Sequence, residues 1–165
     1  MGELCARGPY TLRGYYDAAE HNARAFTEDG FYRTGDLAAR RTLSGMTCYT
    51  IDGRIKDLIN RGGEKVNVEE MEMVLTNHPR ISEAALVAMP DERLGERACA
   101  FLVSTSDGSI ELPELRHWLE QQGVAKYKWP ERLVWLDEMP RASDVGKINK
   151  RELRDRASTL GPQPL

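Results

Sequence analysis

The sequence lacks any long apolar run. Of its 165 residues 41% are hydrophobic, yet no stretch approaches the ~20 consecutive apolar residues that a helix needs to cross a bilayer. The opening residues, Met1-Gly2-Glu3, place an acid where a secretory signal has a basic region followed by an apolar one. The sequence therefore predicts neither a membrane partner nor an export signal.

A surplus of either charge is also missing. Lys and Arg total 23 against 26 Asp and Glu, which gives a net charge of -3 with both signs interspersed along the chain. Surfaces that bind nucleic acid or anionic membranes concentrate positive charge. The balance predicts no nucleic-acid partner and leaves small molecules and proteins open as partners.

Cysteine and histidine are scarce. The chain has three of each: Cys5, Cys48 and Cys99, and His21, His78 and His117. An odd number of widely spaced cysteines, mostly among apolar neighbours, is typical of free thiols in a reducing compartment, so we expect a cytoplasmic location. No histidine has a cysteine partner at metal-binding spacing, and the sequence predicts no metal site.

The residues that are present predict an α+β fold in two parts. Residues 1–52 contain short strand-like runs at 3–7, 11–16 and 46–51 and a helical stretch near 18–26. From residue 53 onward, strands alternate with capped helices. We therefore predict a small β-rich lobe over 1–52, truncated at its start, and a compact α+β domain over 53–165.

Three helices in the second part are predicted from their ends. Asn67 followed by Glu70 has the pattern of a capping box, and Asn149 followed by Glu152 repeats it. A third helix is predicted over 113–123, with a proline at its start and a glycine at its end. Apolar, β-prone runs predict central strands at 83–89, 98–104 and 132–136.

The first segment with candidate chemistry is Tyr32-Arg33-Thr34-Gly35-Asp36. The carboxylate of Asp36, delivered on a glycine turn, can accept hydrogen bonds from two neighbouring hydroxyls such as those of a ribose. A charged acceptor forms stronger bonds than a neutral one. An aspartate that only fixes its own turn has the same local pattern. The segment alone leaves both interpretations open.

The second candidate segment runs from Gly53 to Val66 and surrounds the pair Gly62-Gly63 with charged residues. Glycines allow a backbone to approach a ligand closely or to adopt a positive φ. A charged hairpin loop between two strands has the same composition. This segment therefore fits a ligand-binding loop and a plain surface turn equally well.

The third candidate segment covers residues 140–150 and ends at a helix cap. Gly146 allows a sharp turn that presents Lys147, a compact cation suited to binding a phosphate as a point charge. The alternative is a solvated surface lysine without a specific role.

In this order and at these separations, the three segments resemble the closing motifs of the adenylate-forming superfamily, the AMP-binding enzymes. That superfamily includes acyl- and aryl-CoA synthetases, peptide-synthetase adenylation domains and beetle luciferases. The segments from Gly2 to Pro9 and from Gly14 to Tyr16 resemble the motif just upstream, so the resemblance covers nearly the whole chain. Residues 60–66 and 89–97 are most similar to the ligases that activate 2,3-dihydroxybenzoate or salicylate for siderophores.

The resemblance implies a role for each matching residue. Asp36 corresponds to the acid that binds the ribose hydroxyls of ATP, and Arg54 and Tyr32 correspond to residues beside the same nucleotide. Lys56 falls at the hinge about which family members rotate their C-terminal domain between adenylation and thioester formation. Lys147 corresponds to the lysine that reaches the acid carboxylate and the α-phosphate. The loop implied to line the route of the pantetheine thiol is Arg61, Gly62, Gly63, Glu64 and Lys65.

The implied activity belongs to a longer protein. ATP with Mg2+ and an aryl acid give an aryl adenylate and pyrophosphate, and the aryl group then passes to the phosphopantetheine thiol of an aryl carrier protein. The sequence has no phosphate loop rich in Gly, Ser and Thr, and the family's acid-selecting residues lie in its large N-terminal domain, so we expect the chain alone to be inactive. Two alternatives remain open: a fragment of an acyl- or aryl-CoA synthetase, and a non-catalytic docking module for a carrier protein.

Overall fold

The computed structural model describes residues 1–105, 108–142 and 146–161. The chain forms two compact units, Met1–Lys56 and Asp57–Leu165. Residues 143–145, which the sequence predicts to form a turn before Lys147, lie outside the described residues. So does most of the tail from Gly161 to Pro164, which its glycine and prolines predict to be frayed. No helix in the described ranges is long and apolar enough to cross a membrane.

The first unit is a three-stranded antiparallel sheet in the order β1-β2-β3. Its strands are β1 Gly2–Ala6, β2 Tyr32–Leu43 and β3 Met46–Arg54, and helix α1, Ala19–Ala25, lies between β1 and β2 in the chain. Ser44 and Gly45 join β2 to β3 with positive φ angles of 50° and 81°. Positive φ at both central residues is what a tight hairpin turn requires. The hairpin extends as far as the pairing of Asp36 with Arg54.

One expectation for the first unit is wrong. The strand expected at 11–16 is absent, because the side chain of Asn22 binds both the amide and the carbonyl of Tyr15, at 2.7 and 2.8 Å, in place of a strand partner. The long strand β2 was not predicted at all. Asp52 and Gly53 lie inside β3, and the first compact unit ends at Lys56.

The second unit is built on a five-stranded sheet. Four strands follow the order β5-β4-β7-β6, all antiparallel, and β8 pairs with β7 in parallel. The strands are β4 Ile59–Arg61, β5 Glu64–Val66, β6 Ile81–Asp91, β7 Gly95–Ser104 and β8 Arg132–Leu136. The helices are α2 Val68–Thr76, α3 Leu112–Gln121 and α4 Lys150–Ala157.

Strands β6 and β7 are buried on both faces. Leu86 and Leu102 belong to the core that also contains residues of α2 and α3, while Phe101 belongs to a second core with Leu153 of α4. Strands covered on both sides are nearly continuously apolar, and this is why 83–89 and 98–104 could be identified as central strands. The α+β prediction is confirmed, as are the three helices.

Both asparagines cap their helices as predicted, although the side chain of Glu70 bonds to Lys128 instead of reaching back to Asn67. The side-chain oxygen of Asn67 accepts a hydrogen bond from the amide of Glu70 at 3.1 Å, and that of Asn149 accepts from the amide of Glu152 at 3.3 Å. Each cap satisfies one of the amides that a helix start leaves without a partner. Because Asn149 fixes the start of α4, it also fixes the end of the segment that carries Lys147.

Candidate functional site

Asp36 and Arg54 face each other across strands β2 and β3. Nε of Arg54 lies 3.3 Å from Oδ1 of Asp36, and both side chains remain partly exposed, at 53% and 28%. The register shifts between Asp36 and Ala38, as at a β-bulge, which re-aims side chains at the edge of a sheet. The hydroxyl of Thr34 accepts from the amide of Asp36 at 3.1 Å and donates to the carbonyl of Leu4 at 2.9 Å. Arg54 therefore contacts the carboxylate of Asp36, while Thr34 holds its backbone amide.

An open depression of about 360 Å³ lies beside this ion pair. Its lining mixes a carboxylate, a hydroxyl and two cations with one apolar side chain, and Gly35, at φ 75°, allows the backbone to turn there. The lining residues are Glu3, Thr34, Gly35, Arg54, Ile55 and Lys56. The charged and hydroxyl groups of this lining can form hydrogen bonds with a polar ligand.

Tyr32 belongs to the same region of the first unit. Its hydroxyl lies 3.1 Å from that of Tyr15, and its ring packs against Phe26 with centroids 5.6 Å apart. The hydrogen bond with Tyr15 raises the pKa of Tyr32, and the charges of Arg54 and Asp36 also act on it, the first lowering and the second raising it. The structure thus brings Tyr32, Asp36 and Arg54 within electrostatic range of one another.

Lys56 is the last residue of the first unit, and its side chain is exposed. It lies in a single 3-10 turn, Ile55–Asp57, that follows β3. The chain between the two sheets is therefore very short. The hinge role of Lys56 remains a prediction.

The pair Gly62-Gly63 forms the two-residue turn of the β4–β5 hairpin, with φ angles of 59° and 98°. The amide of Gly62 donates to the carbonyl of Leu94 at 2.8 Å, and a Cβ atom added at Gly62 would meet Cδ2 of Leu94 at 3.0 Å. The first glycine is therefore needed both for its φ angle and for this close approach. Glu64 and Lys65, which follow the turn, are exposed.

Arg61, at the base of this hairpin, is bound to a buried carboxylate. Its Nε donates to Oε1 of Glu131 at 2.7 Å, while Oε2 of Glu131 accepts from the amide of Ala98 at 3.1 Å. Glu131 is only 7% exposed. The guanidinium of Arg61 thus fastens the hairpin to the central strand β7, a contact that the sequence did not indicate.

Lys147 lies on a short antiparallel ribbon formed by residues on either side of 143–145. Arg141 pairs with Ile148 in a β-bridge, and the amide of Ala142 donates to the carbonyl of Lys147 at 2.9 Å. Gly146, at φ 66°, turns the chain just before the lysine. The side chain of Lys147 is exposed and has no carboxylate partner among residues 1–105, 108–142 and 146–161. An exposed ammonium group of this kind can bind an anion as a point charge.

The comparisons with known proteins agree with the resemblance. Residues 70–147 match the family described as the AMP-binding enzyme C-terminal domain. The chain is 50% identical over 157 residues to the 2,3-dihydroxybenzoate-AMP ligase of Bacillus subtilis, covering 95% of this chain and 28% of that protein. It is 48% identical over 160 residues to the vibriobactin-specific 2,3-dihydroxybenzoate-AMP ligase of Vibrio cholerae, covering 97% and 29%. The chain belongs to the adenylate-forming enzymes.

A solved adenylate-forming enzyme has the same fold. The o-succinylbenzoate CoA synthetase of Bacillus subtilis, in complex with its acyl-adenylate intermediate, matches 99% of this chain and 31% of its own with a TM-score of 0.79 and 29% identity. The chain thus spans less than a third of the length of these relatives.

The candidate residues fall into two sets, which the two units carry separately. Tyr32, Asp36, Arg54 and Lys56 lie in the first unit, and the Arg61–Lys65 hairpin and Lys147 lie in the second. Sequence reasoning missed the side chains that hold the second set in place, and these are Glu83, Glu131 and Arg141. No group of three His, Cys, Asp or Glu side chains suited to a metal ion occurs in the part of the chain that the structure describes.

Proposed function

We propose that this chain acts in an aryl-acid:AMP ligase that adenylates 2,3-dihydroxybenzoate or salicylate and loads the aryl group onto a carrier protein in siderophore biosynthesis. The sequence identity to two 2,3-dihydroxybenzoate-AMP ligases supports this class of acid. The structural observation on which the proposal rests is Lys147, an exposed ammonium group without a described carboxylate partner on a hydrogen-bonded ribbon.

In this proposal the first unit binds the nucleotide. The carboxylate of Asp36 accepts hydrogen bonds from the ribose hydroxyls of ATP, and a carboxylate is the stronger acceptor for this purpose. Arg54, 3.3 Å from Asp36, and Tyr32 lie beside the same nucleotide. ATP enters as its Mg2+ complex, as the family implies, and we assign the ion no ligand in this chain.

Lys147 acts in the adenylation step. The carboxylate oxygen of the aryl acid attacks the α-phosphorus of ATP, the bond to the β-phosphate bridging oxygen breaks, and pyrophosphate leaves. Negative charge is concentrated between the two anionic reactants in this step, and a fixed ammonium group stabilises it in the transition state.

The second half-reaction uses a different face of the second unit. After rotation about Lys56, the Arg61–Lys65 hairpin lines the route by which the phosphopantetheine thiol reaches the aryl adenylate. The sulfur attacks the carbonyl carbon, AMP leaves and the thiol proton passes to solvent. The exposed turn at Gly62 and Gly63 supports this role, because a backbone without side chains admits a narrow substituent.

Coenzyme A is the alternative acceptor. The structural similarity to a CoA synthetase supports this second candidate. Both acceptors end in the same pantetheine thiol, so the residues of this chain that face the thiol cannot by themselves distinguish them. We propose the cytoplasm as the compartment, since Cys5, Cys48 and Cys99 are free thiols in the structure.

The proposal can be tested with a chimera in which this chain replaces the matching segment of the Bacillus subtilis 2,3-dihydroxybenzoate-AMP ligase. The chimera should catalyse ATP–pyrophosphate exchange that depends on 2,3-dihydroxybenzoate, whereas the 165-residue chain alone should give none. It should also load an aryl carrier protein faster than it acylates CoA. A folded chimera without exchange contradicts the proposal. If the chain alone then still binds the carrier protein, that binding supports the docking module instead. Faster acylation of CoA supports the alternative acceptor.

A further inference from the structure

Arg141 makes two hydrogen bonds, one to the lysine-bearing turn at Gly146 and Lys147 and the other to strand β6. Its Nη1 donates to the carbonyl oxygen of Gly146 at 2.7 Å, and its Nη2 donates to Oε2 of Glu83 at 2.5 Å. Gly146 is the residue immediately before Lys147. A single guanidinium therefore links the turn to a side chain from a distant part of the sequence.

Glu83 gives this link a rigid support. It lies in β6, whose following residues, Ala84 to Val87, are buried in the two cores of the second unit. The backbone of a strand packed on both faces varies little in position, although the side chain of Glu83 itself is 35% exposed. Through Arg141, strand β6 positions the backbone at Gly146, the residue before Lys147.

The planar guanidinium group of arginine is suited to holding the turn in a fixed position. A guanidinium can bind two acceptors at once with fixed geometry, whereas the ammonium of a lysine is a point charge on a flexible stem. Two further hydrogen bonds of the ribbon, from Ala142 to Lys147 and from Asn149 to Pro140, join backbone groups. Arg141 thus links this ribbon to the sheet by a side-chain hydrogen bond, and Ile148 also packs against the core that contains Phe101.

We propose that Arg141, oriented by Glu83, is a positioning residue for Lys147 in adenylation. This inference rests on the proposed function of Lys147. Catalytic charge is effective only where it is preorganised, and a displacement of about 1 Å can cost on the order of 100-fold in rate. Without Arg141 the turn keeps its lysine but loses its fixed position.

The test uses the chimera with Arg141→Ala, Arg141→Lys and Glu83→Gln. Arg141→Ala should lower kcat for adenylation by roughly 10-fold or more, with KM for ATP and for the acid unchanged, because the substrates are bound elsewhere. Transfer from preformed aryl adenylate to the carrier protein should keep its rate. Arg141→Lys and Glu83→Gln, each of which weakens one side of the bridge, should give smaller losses.

Arg156→Ala is the matched control. Arg156 is as exposed as Arg141, at 49% against 48%, and it also bonds to a carboxylate, that of Glu152 at 2.6 Å. It lies on α4 and has no contact with the lysine-bearing turn among those described. Both half-reactions should run at the unmodified rate in this variant. Adenylation that is slowed as much by Arg156→Ala as by Arg141→Ala overturns the proposal.

The variant Lys147→Ala separates the positioning role from the proposed function. If Arg141 acts through Lys147, adding Arg141→Ala to Lys147→Ala causes no further loss, since residues that act as a unit are not additive. A further tenfold loss in the double variant overturns the positioning role, as does a normal rate in Arg141→Ala. Normal adenylation in Lys147→Ala instead contradicts the proposed function itself.

Discussion

The carboxylate of Asp57 accepts a hydrogen bond from Nη2 of Arg154 at 2.5 Å. Asp57 is the first residue of the second unit and directly follows Lys56, while Arg154 lies in α4. The side chain of Asp57 is only 16% exposed. The start of the second unit is therefore fastened within that unit, and we expect rotation about the proposed hinge to occur at the residues before Asp57.

Replacing the hinge residue by proline should separate the two half-reactions. Lys56→Pro in the chimera fixes φ near −65° and restricts Ile55 before it, so thioester formation should lose more rate than adenylation. Lys56→Ala, which removes the charge but leaves φ free, is the control and should affect the two steps far less. Both half-reactions are measured on one preparation, and equal losses in Lys56→Pro argue against a hinge at this residue.

Removing the ammonium of Lys147 should slow one half-reaction only. Lys147→Ala in the chimera should reduce adenylation by a factor on the order of 100 to 1000, as when a preorganised transition-state contact is deleted. Stability should change by less than about 0.5 kcal/mol, because the side chain is exposed. Loading of the carrier protein from preformed aryl adenylate provides the internal check. A variant that is slow in both steps, or in neither, shows that the residue has been misassigned.

Asp36 should contribute to nucleotide affinity. In the chimera, Asp36→Ala should weaken ATP binding by roughly 1.5 to 3 kcal/mol, the usual value of hydrogen bonds to a charged acceptor. Asp36→Asn keeps the size and one acceptor oxygen, so its loss should be smaller. Isothermal titration with ATP measures both. If the affinity for ATP is unchanged in Asp36→Ala, this aspartate only stabilises its own turn.

The stability of the second unit should depend on pH through His78. This side chain is 5% exposed, its Nδ1 accepts from the amide of Arg80 at 3.1 Å, and burial, with the charge of Arg80, lowers its pKa below the ordinary 6.5. A lowered histidine pKa means that the unfolded chain binds the proton first. The free energy of unfolding should therefore be highest above about pH 6.5 and fall as the pH decreases towards the lowered pKa of the folded state.

Urea unfolding followed by tryptophan fluorescence measures this dependence on the chain itself. The three tryptophans, Trp118, Trp129 and Trp135, all lie in the second unit, so the signal reports that unit alone. His78→Asn keeps an acceptor for Arg80 but does not titrate, and it should flatten the dependence between pH 7 and 5. His117→Asn, at an exposed position on α3, is the control. The same slope in the unmodified chain and in His78→Asn would contradict the assignment.

Structural features that depend on a few consecutive residues could be predicted from the sequence. The caps at Asn67 and Asn149, the glycine turn at 62–63 and the doubly buried strands each follow from a local pattern. Strand β2 was missed because its two buried residues, Ala38 and Ala39, are adjacent, so the alternation that identifies a half-buried strand is absent. The false strand at 11–16 has such a pattern but is bound locally by a side chain.

For the candidate site, the sequence indicated the segments that carry it but not the side-chain contacts that hold these segments in place. Arg61 and Glu131 are 70 residues apart, Arg141 and Glu83 are 58 apart, and Arg154 and Asp57 are 97 apart. No periodicity or motif connects such pairs, because their proximity arises only when the sheet of the second unit forms. These long-range ion pairs therefore required the structure.

That sheet also determines the order in which the second unit can assemble. β6 and β7 are joined by residues 92–94 alone, whereas β8 reaches β7 only after residues 105–131 and pairs with it in parallel, which requires a long crossover. Closing the longer loop costs more entropy, and contacts close in sequence form faster. During synthesis, which delivers the chain from its N-terminal end, the β6–β7 hairpin can already be paired when residues 132–136 leave the ribosome. The last strand then docks onto a preformed edge.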